Sequence, residues 1–96
     1  EKKTFQLEIE NQVSKGQYSN LSISSFTEEE FCLDFAYIQP HQNKGIITSR
    51  LILSPKNANR LKQMLTSNTE KYEEEFGPIQ SKNDPPPNPQ INLSIN

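Results

Sequence analysis

Asp34 and Arg50 are the residues of this chain whose types and spacing come nearest to chemistry. Each lies in an alternating stretch, and a hairpin folded symmetrically about Gln42 sets them directly opposite each other. A cross-strand acid–base pair fixes register, and on a groove floor it could also contact a ligand. The other reactive residues lack company. His41 is the single histidine and sits in a polar loop, where neither a metal site nor a proton relay has partners for it. Cys32 is the single cysteine, and a nucleophilic thiol needs a base and an oxyanion site that no spacing supplies. It reads as a small apolar residue. Glu73, Glu74 and Glu75 are consecutive, so on a helix they point about 100° apart and do not converge on one ion. There is no glycine-rich phosphate loop, no Ser/His/Asp set and no CxxC pair. The chain therefore reads as non-enzymatic, without catalytic, cofactor or metal residues.

The elements that would position Asp34 and Arg50 are strands. Residues 4–10 alternate, with Phe5, Leu7 and Ile9 on one side, and are expected as a half-buried strand. Residues 11–17 contain Gly16 and are expected as a turn. Further strands are expected at about 18–25, 31–38 and 46–53, separated by the charged segment 27–30 and the polar loop 39–45. The strongest core candidates all carry odd numbers. Folding 31–38 and 46–53 about Gln42 opposes Phe31 to Leu53, Leu33 to Leu51 and Tyr37 to Ile47. Folding about Glu28 opposes Ile23 to Leu33 and Leu21 to Phe35. Opposed residues share a face, so the expectation is a four-stranded antiparallel meander with one strongly apolar face. Cys32, Ala36, Ile38, Ile46 and Ile52 leave the second face partly apolar, so a second sheet or a bound segment is expected over part of it.

A helix is expected over 55–76. Ser54 suits the N-cap, Pro55 the first helical position, and Gly77 with Pro78 the stop. Ala58, Leu61, Leu65, Tyr72 and Phe76 recur at helical spacing, with Asn68 as a polar interruption, and are expected to cover the odd-numbered sheet face. The charges are ordered against the helix dipole. Lys56, Arg60 and Lys62 lie in the first half, and Glu70, Glu73, Glu74 and Glu75 in the second. Two copies paired antiparallel about a twofold near Leu65 and Thr66 would set Lys62 near Glu70 and Arg60 near Tyr72. Lys56 and Arg60 would then fall near Glu73–Glu75. This isologous contact predicts a homo-oligomer, a dimer or a dimer of dimers.

Composition agrees with an incomplete core. Only 31% of the 96 residues are hydrophobic, and mean hydropathy is −0.82. So small a domain buries a modest share of its surface; either an unstructured tail dilutes the count or oligomerisation completes the core. Net charge is −2 and the isoelectric point about 5.4, which argues against a nucleic-acid binder. Lys56, Arg60 and Lys62 lack interleaved aromatics, so nucleic-acid-associated regulation stands only as the alternative reading. One cysteine allows no intrachain disulfide and fits a cytoplasmic protein. No apolar run is long enough to span a bilayer. The chain begins with Glu1, so a trimmed leading segment is expected. Residues 80–96 form a Pro-rich tail beyond a single domain at 1–79. In that tail Ile91, Leu93 and Ile95 alternate as a candidate edge strand at 90–96, added to a sheet in its own or a neighbouring subunit.

Several short strings occur in a telling order. They are Tyr18-Ser19-Asn20, Phe31-Cys32-Leu33-Asp34-Phe35, Ser49-Arg50, Ser54-Pro55 and Lys71-Tyr72-Glu73-Glu74-Glu75-Phe76-Gly77. Together, over roughly residues 5–79, they resemble the prokaryotic domain of unknown function 3467, with Cys32 where an aliphatic residue is expected. The resemblance implies a bacterial or archaeal cytoplasmic protein and carries over no catalytic residue. Four antiparallel strands and a long helix are also similar in architecture to the export chaperone SecB, which forms dimers of dimers and holds unfolded chains; no motif supports that likeness. The expectation is thus an α+β oligomeric binding or assembly module, possible chaperone-like activity included, with a peptide or protein ligand.

Overall fold

The computed structural model describes residues 2–79 and 90–96. A short helix α1 (Asn11–Ser14) precedes three strands, β1 (Leu21–Phe26), β2 (Phe31–Ile38) and β3 (Gly45–Leu53), and a long helix α2 (Pro55–Phe76). The fold is α+β. Its sheet is antiparallel with order β1-β2-β3, so β2 is central and β1 and β3 are the edges.

The β2–β3 hairpin follows the alternation of its two strands. Phe31 pairs with Leu53, Leu33 with Leu51 and Asp34 with Arg50, as the symmetric fold predicts. The register then shifts between Phe35 and Ala36, where Thr48 of β3 is the extra residue of a bulge. Its hydroxyl donates to the Phe35 carbonyl at 3.2 Å. Beyond the bulge Tyr37 faces Ile46, and Ile47, expected opposite Tyr37, faces Ala36. The loop closes through Gln39 N–H to the Lys44 carbonyl at 3.0 Å, with His41 and Asn43 at positive φ. Gly45 starts β3 where a Cβ would lie 2.6 Å from the Tyr37 carbonyl oxygen and 3.0 Å from the Ile38 Cα, so no side chain fits there.

The β1–β2 pairing departs from expectation by one residue. Leu21 faces Ala36 and Ile23 faces Asp34, instead of Phe35 and Leu33. The turn explains the slip. Thr27 N–H bonds the Glu30 carbonyl at 2.9 Å, and the Thr27 hydroxyl accepts from the N–H groups of Glu29 and Glu30 at 3.3 and 3.2 Å. The connection is therefore two residues long, Glu28 and Glu29. The expected turn was centred on Glu28 alone, and changing the loop by one residue moves a whole strand to the other face. Leu21 and Ile23 thus share the face of Asp34 and Arg50. Apolar residues occupy both faces of the sheet, and the single odd-numbered core face is corrected accordingly.

The fourth strand is absent among the described residues. Residues 4–10 are exposed and lie outside any strand, and the expected turn at 11–17 holds α1, with Gly16 at φ 77°. Alternation supplies a face but no pairing partner. At the end of β1 the ladder is continued by side chains. Asn20 Nδ2 donates to the Ile38 carbonyl at 2.9 Å and its Oδ1 accepts from Ile38 N–H at 2.8 Å. Ser19 Oγ donates to the Ala36 carbonyl at 2.9 Å. Residues 90–96, expected as an edge strand of this or a neighbouring subunit, lie outside any strand within the chain itself. The proline run of the tail lies outside the described residues.

Helix α2 has the expected bounds. Ser54 caps it by accepting from Asn57 N–H at 3.1 Å, and Pro55 opens it. At the other end Gly77, at φ 95°, donates to the Glu73 carbonyl at 2.9 Å. The expected packing is not found. The helix meets the sheet mainly at β3, and Ala58 and Leu61 are its only half-buried residues. At 22 residues it extends about 33 Å at ~1.5 Å per residue. Its apolar stripe is thin and broken by Asn68, so within one chain only the first two turns dock.

Candidate interaction surface

Asp34 and Arg50 meet as the cross-strand register requires. Arg50 Nε donates to Asp34 Oδ1 at 2.6 Å and Nη2 to Oδ2 at 2.9 Å, a two-pronged contact suited to a planar guanidinium. Asp34 is buried on the central strand, at 7% exposure, whereas the Arg50 side chain is half exposed. The guanidinium's hydrogen bonds hold the Asp34 carboxyl below its ordinary range against the opposing effect of burial. The carboxylate in turn raises the Arg50 pKa. Cys32 Sγ approaches Asp34 Oδ1 at 3.9 Å on the same face, a weak contact. Both carboxylate oxygens are engaged by the strand partner, so the arrangement holds register and offers no free base.

The other reactive residues stay apart. His41 occupies the tip of the β2–β3 loop. Among the described residues, no group of three or more His, Cys, Asp or Glu side chains could hold a metal ion. A shallow open depression at the hairpin end is lined by Tyr37, Gln39, Lys44, Gly45 and Ile46, which bring no acid–base pair together.

What the chain does present is uncovered apolar surface. Among the described residues only Ala36, at 4% exposure, and Asp34 are buried. On α2, Met64, Leu65, Tyr72 and Phe76 are all at least half exposed, with the Tyr72 and Phe76 rings 5.0 Å apart. Lys56, Arg60, Lys62, Glu70, Glu73 and Glu74 are exposed around them. The helix has no acid in its first turn and no base in its last. The Asp34–Arg50 contact is the one ion pair among the described residues, so the helix charges have no ionic partner there. On the sheet, Phe26, Ile46, Leu51 and Ile52 are exposed, Phe26 stacking on Phe31 at 5.6 Å.

Ser19, Asn20, Thr27 and Thr48, which set the ends, turn and bulge of the sheet, were not anticipated. The string Tyr18-Ser19-Asn20 was the available signal for the first two.

A three-stranded antiparallel sheet followed by one long helix defines an α+β protein. The family described as protein of unknown function (DUF3467) matches residues 1–81, and the chain belongs to it. No curated protein and no solved structure matches the chain. The architectural likeness to SecB requires a fourth strand that the sheet lacks among the described residues. No helix among the described residues is long and apolar enough to cross a membrane.

Proposed function

We propose that the protein is a non-enzymatic homo-oligomeric module that binds peptide or protein, chaperone-like in using apolar surface. The observation that carries this reading is the burial pattern: among the described residues two are buried, Ala36 and Asp34, beside a helix whose apolar side chains from Met64 onward are uncovered. A domain of this size needs a core, and apolar side chains left exposed along one helix face are available to an interaction site. Two α2 helices laid antiparallel about Leu65 cover each other's stripe. They also bring the basic half of one, Lys56, Arg60 and Lys62, against the acidic half of the other, Glu70, Glu73 and Glu74. In a single chain the same charges oppose the helix dipole with no ionic partner. The apolar sheet surface left outside this contact is the binding face for an extended polypeptide.

Light scattering at micromolar concentration tests the assembly, with more than one chain per particle expected. A labelled unfolded polypeptide tests the binding. Its affinity should change little between low and high salt, because apolar capture is not driven by counterion release. Capture of nucleic acid that weakens steeply with salt would instead favour the alternative reading.

A further inference from the structure

We propose that residues 4–10 of one copy add as a fourth strand to the exposed edge of β1 in a second copy, reciprocally across the dimer. This rests on the homo-oligomer reading above and names a second surface for it. The segment has the form of a strand without a mate. Phe5, Leu7 and Ile9 recur every second residue and are 75%, 89% and 65% exposed. The peptide groups of residues 4–9 make no backbone hydrogen bond among the described residues.

The two edges of the sheet are not equivalent. β3 carries the Thr48 bulge and Arg50, and α2 leans on it, the devices by which edge strands are commonly blocked. β1, Leu-Ser-Ile-Ser-Ser-Phe, has no charge, no proline and no bulge over its six residues. Among the described residues it is therefore the open edge, and the seven residues 4–10 match its length. Leu21 and Ile23, also spaced by two, are half buried on one face of it, so an added strand sets Phe5, Leu7 and Ile9 beside them on that face.

The chain's own arm does not take this edge. A hairpin return onto β1 would use a tight reverse turn of a few residues. Instead the connection is a helical turn, closed by Ser14 N–H to the Glu10 carbonyl at 2.9 Å, followed by Gly16 bonding Val13 at 3.0 Å. Ser19 and Asn20 then clamp the chain to β2 through side chains, at Ala36 and Ile38. The arm is delivered from a fixed point while β1 stays open, the arrangement of exchanged strands in domain-swapped dimers.

Cross-linking distinguishes the possibilities. Two chains in a Cys32→Ser background are refolded together, one carrying Glu8→Cys and the other Ser22→Cys or Ser24→Cys, positions on the face opposite Leu7 and Ile23. Oxidation should yield a mixed cross-linked dimer for at least one pairing. Hydrogen exchange should show protected amides in residues 4–9 and in β1 that lose protection at least tenfold in Leu7→Pro, while the β2–β3 amides keep theirs. Particles that stay dimeric by light scattering but give no mixed cross-link overturn the arm exchange and leave the helix contact standing. Cross-linking confined to a single chain carrying both cysteines overturns it as well. A strict monomer at high concentration overturns both this proposal and the oligomer reading beneath it.

Discussion

Strand β2 and helix α2 both carry apolar residues at the spacing of their element, yet they meet opposite fates within the chain. β2 is hydrogen-bonded on both sides, carries the two buried residues and has its one charge matched by Arg50. α2 keeps its caps and its backbone bonds, but its apolar side chains beyond Leu61 stay exposed and its charges have no ionic partner among the described residues. The contrast separates two kinds of sequence information. Residues matched inside the chain define register and turns. Residues left over in an ordered pattern, apolar stripe and charge sequence together, describe a second surface.

The largest test of that separation is on the helix. Leu65→Asp places a charge at the centre of the proposed twofold contact and should weaken self-association about 100-fold, the size of an interface hot spot, measured by sedimentation. The triple change Glu73→Lys, Glu74→Lys and Glu75→Lys should weaken it less, and reversing Lys56, Arg60 and Lys62 to Glu as well should partly restore it. Unaltered association in all three would place the helix outside the interface. The sheet should respond in stability instead. Ala36→Leu overfills the most buried position and should cost roughly 1–3 kcal/mol in urea unfolding. Smaller still is Ser54→Ala, which removes the N-cap acceptor of α2 and should cost about 1 kcal/mol. The least is the acid response of Asp34. Its carboxyl is held below 3.8 in the fold, so its contribution is complete above the unfolded value and is lost as pH falls through the folded one. The stability gap between the wild type and Asp34→Asn should be constant above about pH 5 and close below 3.8, by thermal melts across that range.

The legible parts of the fold are those dictated locally. The bounds of β2 and α2 and the Asp34–Arg50 pairing follow from alternation, from Ser54-Pro55 and from Gly77. What escaped depends on single hydroxyls and amides. One Thr27 side chain makes the turn two residues long and moves Leu21 and Ile23 to the other face. One extra residue at Thr48 moves Ile47. Residues 4–10 have a strand's pattern, but no pattern says which edge a strand joins. The reversed helix charges were visible from the start, and their meaning depends on the packing on the sheet that the helix does not make.

The bulge at Thr48 has a consequence for the size any assembly can reach. A sheet with two receptive edges can recruit neighbour after neighbour and run on into a fibre. A sheet with one receptive edge and one spoiled edge accepts a single guest and stops. By deforming β3 while β1 stays regular, one inserted residue would disfavour edge-to-edge growth through β3 and leave β1 as the receptive edge.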